Sequence, residues 1–308
     1  MSSLNVAAYG EGVMYPPNLA PNISAIQTAG WTSVIVSLFH VNTSGDIYIN
    51  DTKIFTGGQY IGSPDWTGQL QQLLGQGSTI TTLLASIGGG GVSDYASIKT
   101  IYLKNNKSFA GTPLQANFQT FFATFPMITL IDMDVEETYN QDSFVAFCQM
   151  LIKIGFGITF CPYANWEMDF WTGSLAQLNQ SNAGAVKWWN LQCYDGGGGN
   201  DPQTWATAIS SAIPGFVTTN FILAGDWSRN LAEPNQNPSS WYWQGDCPPA
   251  MQNLMSSFAK ESCVGGGFIW TIDQILDYAA DQKKKADPAP CGNVVMKDYV
   301  AAINNGLG

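Results

Sequence analysis

Met127-Ile-Thr-Leu-Ile-Asp132-Met-Asp134-Val-Glu136-Glu137 is the stretch on which the fold turns. Its apolar start reads as a buried strand. Asp132, Asp134 and Glu136 then follow at a spacing of two, which in a strand sends all three carboxylates to one face. If the strand is a barrel stave, that face is the interior at the C-terminal mouth. Three ionised carboxylates there would repel one another. They must share protons or find donors, and one with a raised pKa stays available as a general acid near neutral pH. Glu137 points the other way and reads as an acid at a helix start. The plainer reading of the row is a strand end whose acids cap the next helix or hold a structural cation.

On either side, short apolar runs alternate with longer amphipathic ones, the signature of repeated βα units around a parallel sheet. Eight strands are predicted, at Asn5–Tyr9, Thr32–Phe39, Thr79–Ile87, Met127–Val135, Gly157–Cys161, Ala185–Tyr194, Thr219–Trp227 and Gly266–Ile272. Helices are predicted at Trp66–Leu74, Leu114–Phe125, Gln141–Ile154, Pro202–Ile213, Pro248–Ser262 and Met296–Ile303. No break in composition marks a linker or a binding module. The chain of 308 residues is therefore read as an α/β protein, a single (β/α)8 TIM barrel forming one catalytic domain over 1–308. A doubly wound sheet is the other arrangement such units allow. The polar stretch Ser228–Pro249, rich in Asn, Pro and Trp, reads as a long loop after the seventh strand, at the end of a barrel that carries function.

With 45% hydrophobic and 13% aromatic residues the chain can build a packed core, which excludes disordered and fibrous classes. Only 11% of residues are charged and the net charge is −11, so the basic stripe that nucleic acid would need is missing. An acidic, charge-poor chain rich in aromatics suits a neutral substrate met by aromatic faces, and sugars are the obvious candidates. No apolar run reaches the length of a membrane span, so no membrane partner is expected. The six cysteines show no close pair of metal-ligand type and His40 is the only histidine, so neither a metal site nor a cofactor is expected. Cys148, Cys161 and Cys193 read as buried free thiols, whereas one disulfide is open among Cys247, Cys263 and Cys291. Met1–Leu4 runs straight into a strand-like segment, so the chain is either cytoplasmic or already trimmed of a signal segment.

Two motif readings fail on single residues. A dinucleotide fingerprint at Gly88–Gly91 has Ser93 where its third glycine belongs. A phosphotransferase strand of the haloacid dehalogenase type would need Thr or Val where Glu136 stands, and would lie nearer a domain's N-terminus.

The carboxylate row resembles the fourth strand of glycoside hydrolase family 18, the chitinase family, which ends D-x-x-D-x-D-x-E. Asp132, Asp134 and Glu136 match its last three acids, while Thr129 replaces the first and Val135 stands where an aromatic is common. Three further strand ends are similar to the family's. Ser86-Ile87-Gly88-Gly89 matches S-x-G-G on the third strand. Gln192-Cys193-Tyr194-Asp195 resembles the sixth-strand forms Q-x-Y-N and M-x-Y-D, and Gly266-Gly267-Phe268-Ile269-Trp270 the last strand, whose Trp is the floor under the reactive sugar. The resemblance spans Ser86 to Trp270 and is loose in the loops.

What it implies is a retaining, endo-acting hydrolase of β-1,4-linked N-acetylglucosamine, a chitinase, with chitin or chitooligosaccharides as partners. In this family no enzyme carboxylate attacks the sugar; the substrate's 2-acetamido oxygen does. Glu136 would be the general acid and base. Asp134 would orient the acetamide, Asp132 would tune Asp134, and Tyr194 would donate to the acetamido oxygen with Asp195 and Gln192 beside it. Ser86, Gly88 and Gly89 would leave space beside the catalytic strand, Trp270 would carry the sugar, and Trp227, Trp166, Trp241 and Trp243 would offer further sugar platforms. No large insertion follows the seventh strand, which implies a shallow groove. Chitin lies outside cells, which implies secretion. The same residues would serve an endo-β-N-acetylglucosaminidase acting on N-glycans, or sit in a non-catalytic chitinase-like carbohydrate-binding barrel.

Overall fold

The structure, a computed structural model, describes residues 3–229, 245–276 and 291–308; Trp241, Trp243 and most of the long polar loop lie outside the described residues. Eight parallel strands close into a barrel: β1 (Asn5–Gly10), β2 (Ser33–Val41), β6 (Thr82–Gly88), β7 (Ile128–Asp134), β8 (Gly157–Phe160), β9 (Val186–Gln192), β10 (Ile222–Trp227) and β11 (Val264–Trp270). Closure is made by β1, which pairs with β2 on one side and β11 on the other. Beyond β2, an antiparallel extension runs through β3 (Ile47–Ile49), β4 (Thr52–Thr56) and β5 (Gln59–Tyr60).

Nine α-helices lie wholly within the described residues: α1 (Leu19–Gln27), α2 (Trp66–Leu73), α3 (Asp94–Lys104), α4 (Pro113–Thr124), α5 (Gln141–Ile154), α6 (Met168–Ser181), α7 (Pro202–Ala212), α8 (Pro248–Phe258) and α9 (Met296–Leu307). Their starts follow local chemistry. The side chains of Thr112, Asn140 and Asp201 each accept a backbone N–H from the first turn of α4, α5 and α7. Pro113 and Pro202 sit where a missing N–H costs nothing. No helix among the described residues is long and apolar enough to cross a membrane.

The predicted windows for all eight barrel strands and six of the helices overlap the observed elements, with ends shifted by a few residues. The other three helices carry weak sequence signals. α1 carries Pro21 in its first turn, α6 carries Gly173 and two hydroxyl residues at its centre, and α3 mixes Tyr95 and Tyr102 with polar residues. The strands β3 to β5 are too short to leave a periodic signal.

Strand alternation splits the core into two layers. Val6, Ala8, Val34, Val36, Met133 and Phe160 face the helices, whereas Ala7, Tyr9, Ile35, Leu84, Leu130, Cys161, Leu223 and Phe268 fill the barrel interior. Phe268 lies over Gly225, its paired residue on the neighbouring strand β10, where an added Cβ would fall 2.0 Å from its ring. The interior is packed at this depth, and a pocket opens at the C-terminal mouth. Pairing of β6 with β7 puts Ser86 beside Asp132 and Gly88 beside Asp134, so the third-strand motif abuts the carboxylate row.

Candidate active site

Asp132 is completely buried and accepts four hydrogen bonds. Oδ2 takes the hydroxyls of Tyr9 at 2.8 Å and Ser86 at 2.9 Å, while Oδ1 takes Thr159 Oγ1 at 2.6 Å and Asn190 Nδ2 at 2.9 Å. Each donor comes from a different strand, β1, β6, β8 and β9, at an inward-facing position. Burial pushes the Asp132 pKa up and the four donors pull it back. The innermost acid is thus held in place by donors from around the barrel.

One pleat outward, Asp134 is 3% exposed and shares a donor with Glu136. Gln192 Nε2 lies 3.0 Å from Asp134 Oδ1 and 3.1 Å from Glu136 Oε1. The Asp134 pKa is raised well above the ordinary value, by burial first and then by the charges of Glu136 and Asp132. Glu136, two residues past the end of β7, is also raised by burial; Gln192 and Asp134 lower it and Asp195 raises it. The outer pair therefore holds protons more tightly than free carboxylic acids, the condition that proton donation near neutral pH requires.

These groups open into a pocket at the mouth of the barrel. Gly89, Gly90, Asp134 and Glu136 form one side, Gln192, Tyr194 and Asp195 another, and Tyr163, Trp227 and Trp270 complete the lining. Backbone shape matters on the first side. Gly88 has φ of +117°, and an added Cβ would lie 1.9 Å from the Asp134 carbonyl oxygen. That carbonyl accepts the Gly89 N–H at 2.9 Å. Trp227 is fixed by Nε1 donation to Gln274 at 2.6 Å, and the Trp270 ring packs 5.4 Å from that of Tyr9.

Of the residues singled out in the sequence, Glu136, Asp134, Gln192, Tyr194, Asp195, Gly89, Trp227 and Trp270 meet in this pocket. Asp132, Ser86 and Gly88 stand behind it. Trp166 is 71% exposed and is not part of the lining. Glu137 does act at a helix start, but at that of α3, where Oε1 accepts the Tyr95 N–H at 2.7 Å, and not at the helix that follows it in sequence. Thr129 lies exposed near the start of β7, so the departure from the family's first acid falls away from the Asp132–Glu136 row; Val135 is buried in the helix-facing core. Tyr163, Gly90 and the three remaining donors to Asp132 (Tyr9, Thr159 and Asn190) are site residues that the sequence motifs do not mark. Alternation alone marks Thr159 and Asn190 as inward, but not their height in the barrel.

The disulfide open among three cysteines joins Cys247 to Cys291, and Cys148, Cys161, Cys193 and Cys263 are buried free thiols. His40 pairs through Nδ1 with Asp94 at 2.8 Å, and among the described residues no group of three His, Cys, Asp or Glu is arranged to hold a metal ion.

No family model matches the sequence, and no curated protein matches it. Solved structures do. The chain is similar to the catalytic domain of a hyperthermophilic chitinase from Pyrococcus furiosus, with a TM-score of 0.63 and 10% identity over 99% of this chain and 95% of that one. A family 18 chitinase from the chitin utilization locus of Flavobacterium johnsoniae gives 0.60 and 13% over 97% and 94%. The Group IV chitinase of Ostrinia furnacalis in complex with allosamidin gives 0.57 and 12% over 98% of both chains. The shared feature is the fold. It is a chitinase-like TIM barrel, aligned along nearly the whole chain on few shared residues.

Proposed function

We propose that the chain is a retaining glycoside hydrolase that cleaves β-1,4-linked N-acetylglucosamine chains internally, by substrate-assisted catalysis. The observation that carries the reading is the row Asp132–Asp134–Glu136, with its outer pair on one Gln192 amide at the mouth that Trp270 lines. The chitinase-like fold supports it.

In this reading a sugar stacks on Trp270 with its acetamide held by Asp134 and Tyr194. Glu136 gives its proton to the glycosidic oxygen as that bond breaks, and the acetamido oxygen bonds to the anomeric carbon. Asp134 takes the hydrogen bond of the acetamido N–H and stabilises the positive charge that spreads over the resulting ring. Glu136, now a carboxylate, removes a proton from water, which opens the ring from the face the leaving sugar occupied. Two inversions at the same carbon give retention. Asp132, fixed by four donors beneath Asp134, tunes the proton affinity of that carboxyl.

The Cys247–Cys291 disulfide supports an oxidising compartment, which agrees with a polymer met outside the cell. An inactive carbohydrate-binding barrel is disfavoured by Glu136, the acid that such barrels usually lack. The test is product analysis on chitohexaose with the wild type and Glu136→Gln. Expected are shorter oligomers of retained anomeric form from the wild type, and binding without cleavage from the variant. Full activity in Glu136→Gln would overturn the assignment.

A further inference from the structure

Tyr163 follows β8 in Phe160-Cys161-Pro162-Tyr163, two residues beyond the inward-facing Cys161, and its side chain reaches the pocket wall. It is held at both ends. Asn200 Nδ2 donates to the Tyr163 carbonyl at 2.9 Å and to the Gln192 carbonyl at 2.8 Å, tying the two strand ends together. At the other end the phenol lies on Gly196, where an added Cβ would fall 1.8 Å from the hydroxyl oxygen. A protonated phenol has one O–H to donate. Burial, and then the charges of Asp195 and Glu136, raise its pKa, so the proton stays on.

Position assigns the use of this donor. β8 stands between the strand that leads to Glu136 and the strand that leads to Asp195, so Tyr163 rises beside the acid. The glycosidic oxygen must lie within hydrogen-bond reach of Glu136, and the reacting sugar takes Trp270, Asp134 and Tyr194. The sugar that departs must then lie past Glu136, against the wall that Tyr163 forms. Resting on the hydrolase reading above, we propose that Tyr163 determines specificity for the leaving group: its ring bounds the departing sugar and its hydroxyl donates to an oxygen of that sugar.

The test compares kcat/KM on chitotetraose, which must expel a sugar, with kcat/KM on an aryl chitobioside, which expels a phenol. Tyr163→Phe is expected to lower the sugar-to-aryl ratio about tenfold, the scale of one lost hydrogen bond. Gly196→Ala is expected to lower the same ratio by displacing the ring, and to have no further effect on it in a Tyr163→Ala background. Gly196 has no positive φ, so the new methyl meets Tyr163 and not backbone strain. An unchanged ratio in Tyr163→Phe, or additive losses in the Gly196→Ala/Tyr163→Ala pair, would overturn the assignment while leaving the hydrolase reading intact. A wild type that cleaves neither substrate would overturn both.

Discussion

Gln192 sets its side-chain nitrogen 3.0 Å from Asp134 Oδ1, and the second proton of that amide serves Glu136 at 3.1 Å. One amide therefore steadies two carboxyls that would otherwise repel, and it lowers the Glu136 pKa against the upward push of burial. Gln192→Met keeps the volume and removes the donor. Glu136 acts as an acid only while protonated, so a higher pKa moves the alkaline limb of the kcat/KM profile to higher pH. We expect that shift together with a loss in kcat of about ten- to a hundredfold from misoriented Asp134, the scale of a lost electrostatic contact at a reacting centre. A limb that stays in place in the variant would refute the bridging role.

Asp134 is argued to act through the acetamide, not through direct attack on the sugar. Asp134→Asn should accordingly cost about a hundredfold or more in kcat, as a developing charge loses its stabiliser, while chitohexaose binding remains measurable by calorimetry. The same logic makes the N-acetyl group indispensable. Equal turnover of cellohexaose and chitohexaose would rule out substrate assistance.

The carboxylate row was legible in the sequence because strand parity is a strictly local property. Asp132, Asp134 and Glu136 needed only a spacing of two to share a face. The groups that converge on Asp132 were harder to read, because Tyr9, Ser86, Thr159 and Asn190 come from four strands, and only barrel closure brings them to one height. Among these, only Ser86 lay in a motif. Glu137 shows the complementary failure: its partner, Tyr95 N–H, belongs to α3, forty-two residues earlier, where local capping rules do not reach. Trp166, read as a sugar platform from its place after the fifth strand, stands exposed on the turn Asn165–Glu167, outside the pocket lining.

Two acids outside the pocket should make stability fall with rising pH. Asp226 is 4% exposed with Oδ2 unpartnered among the described residues, and burial followed by the charge of Asp246 raises its pKa to about 8. Burial and Asp273, offset by His40, raise Glu11 to about 7. Both groups bind a proton more tightly folded than unfolded, where carboxylates titrate near about 4. The stability they contribute is complete below about pH 4 and lost as pH rises through about 7 for Glu11 and about 8 for Asp226. The urea midpoint should decline between about pH 5 and 9, and Asp226→Asn should flatten the upper part of that decline. A variant whose midpoint falls as steeply as the wild type's would show that Asp226 ionises normally.

The Cys247–Cys291 bridge joins the N-terminus of α8 to the segment before α9, across a separation of 44 residues that contains β11 and Trp270. Closing a loop of that size in the unfolded chain corresponds to about 4 kcal/mol of stabilisation in the chain-entropy account. For a barrel of this length that is a fall in Tm of roughly 6 °C when the bridge is removed. Cys263 is no substitute partner, since it is buried at the start of β11. Cys247→Ser and Cys291→Ser should therefore lower Tm alike, and the double variant should be no worse than either, because each single change already breaks the same bond. Additive losses in the double variant would mean that the two thiols contribute by packing and not by the bridge.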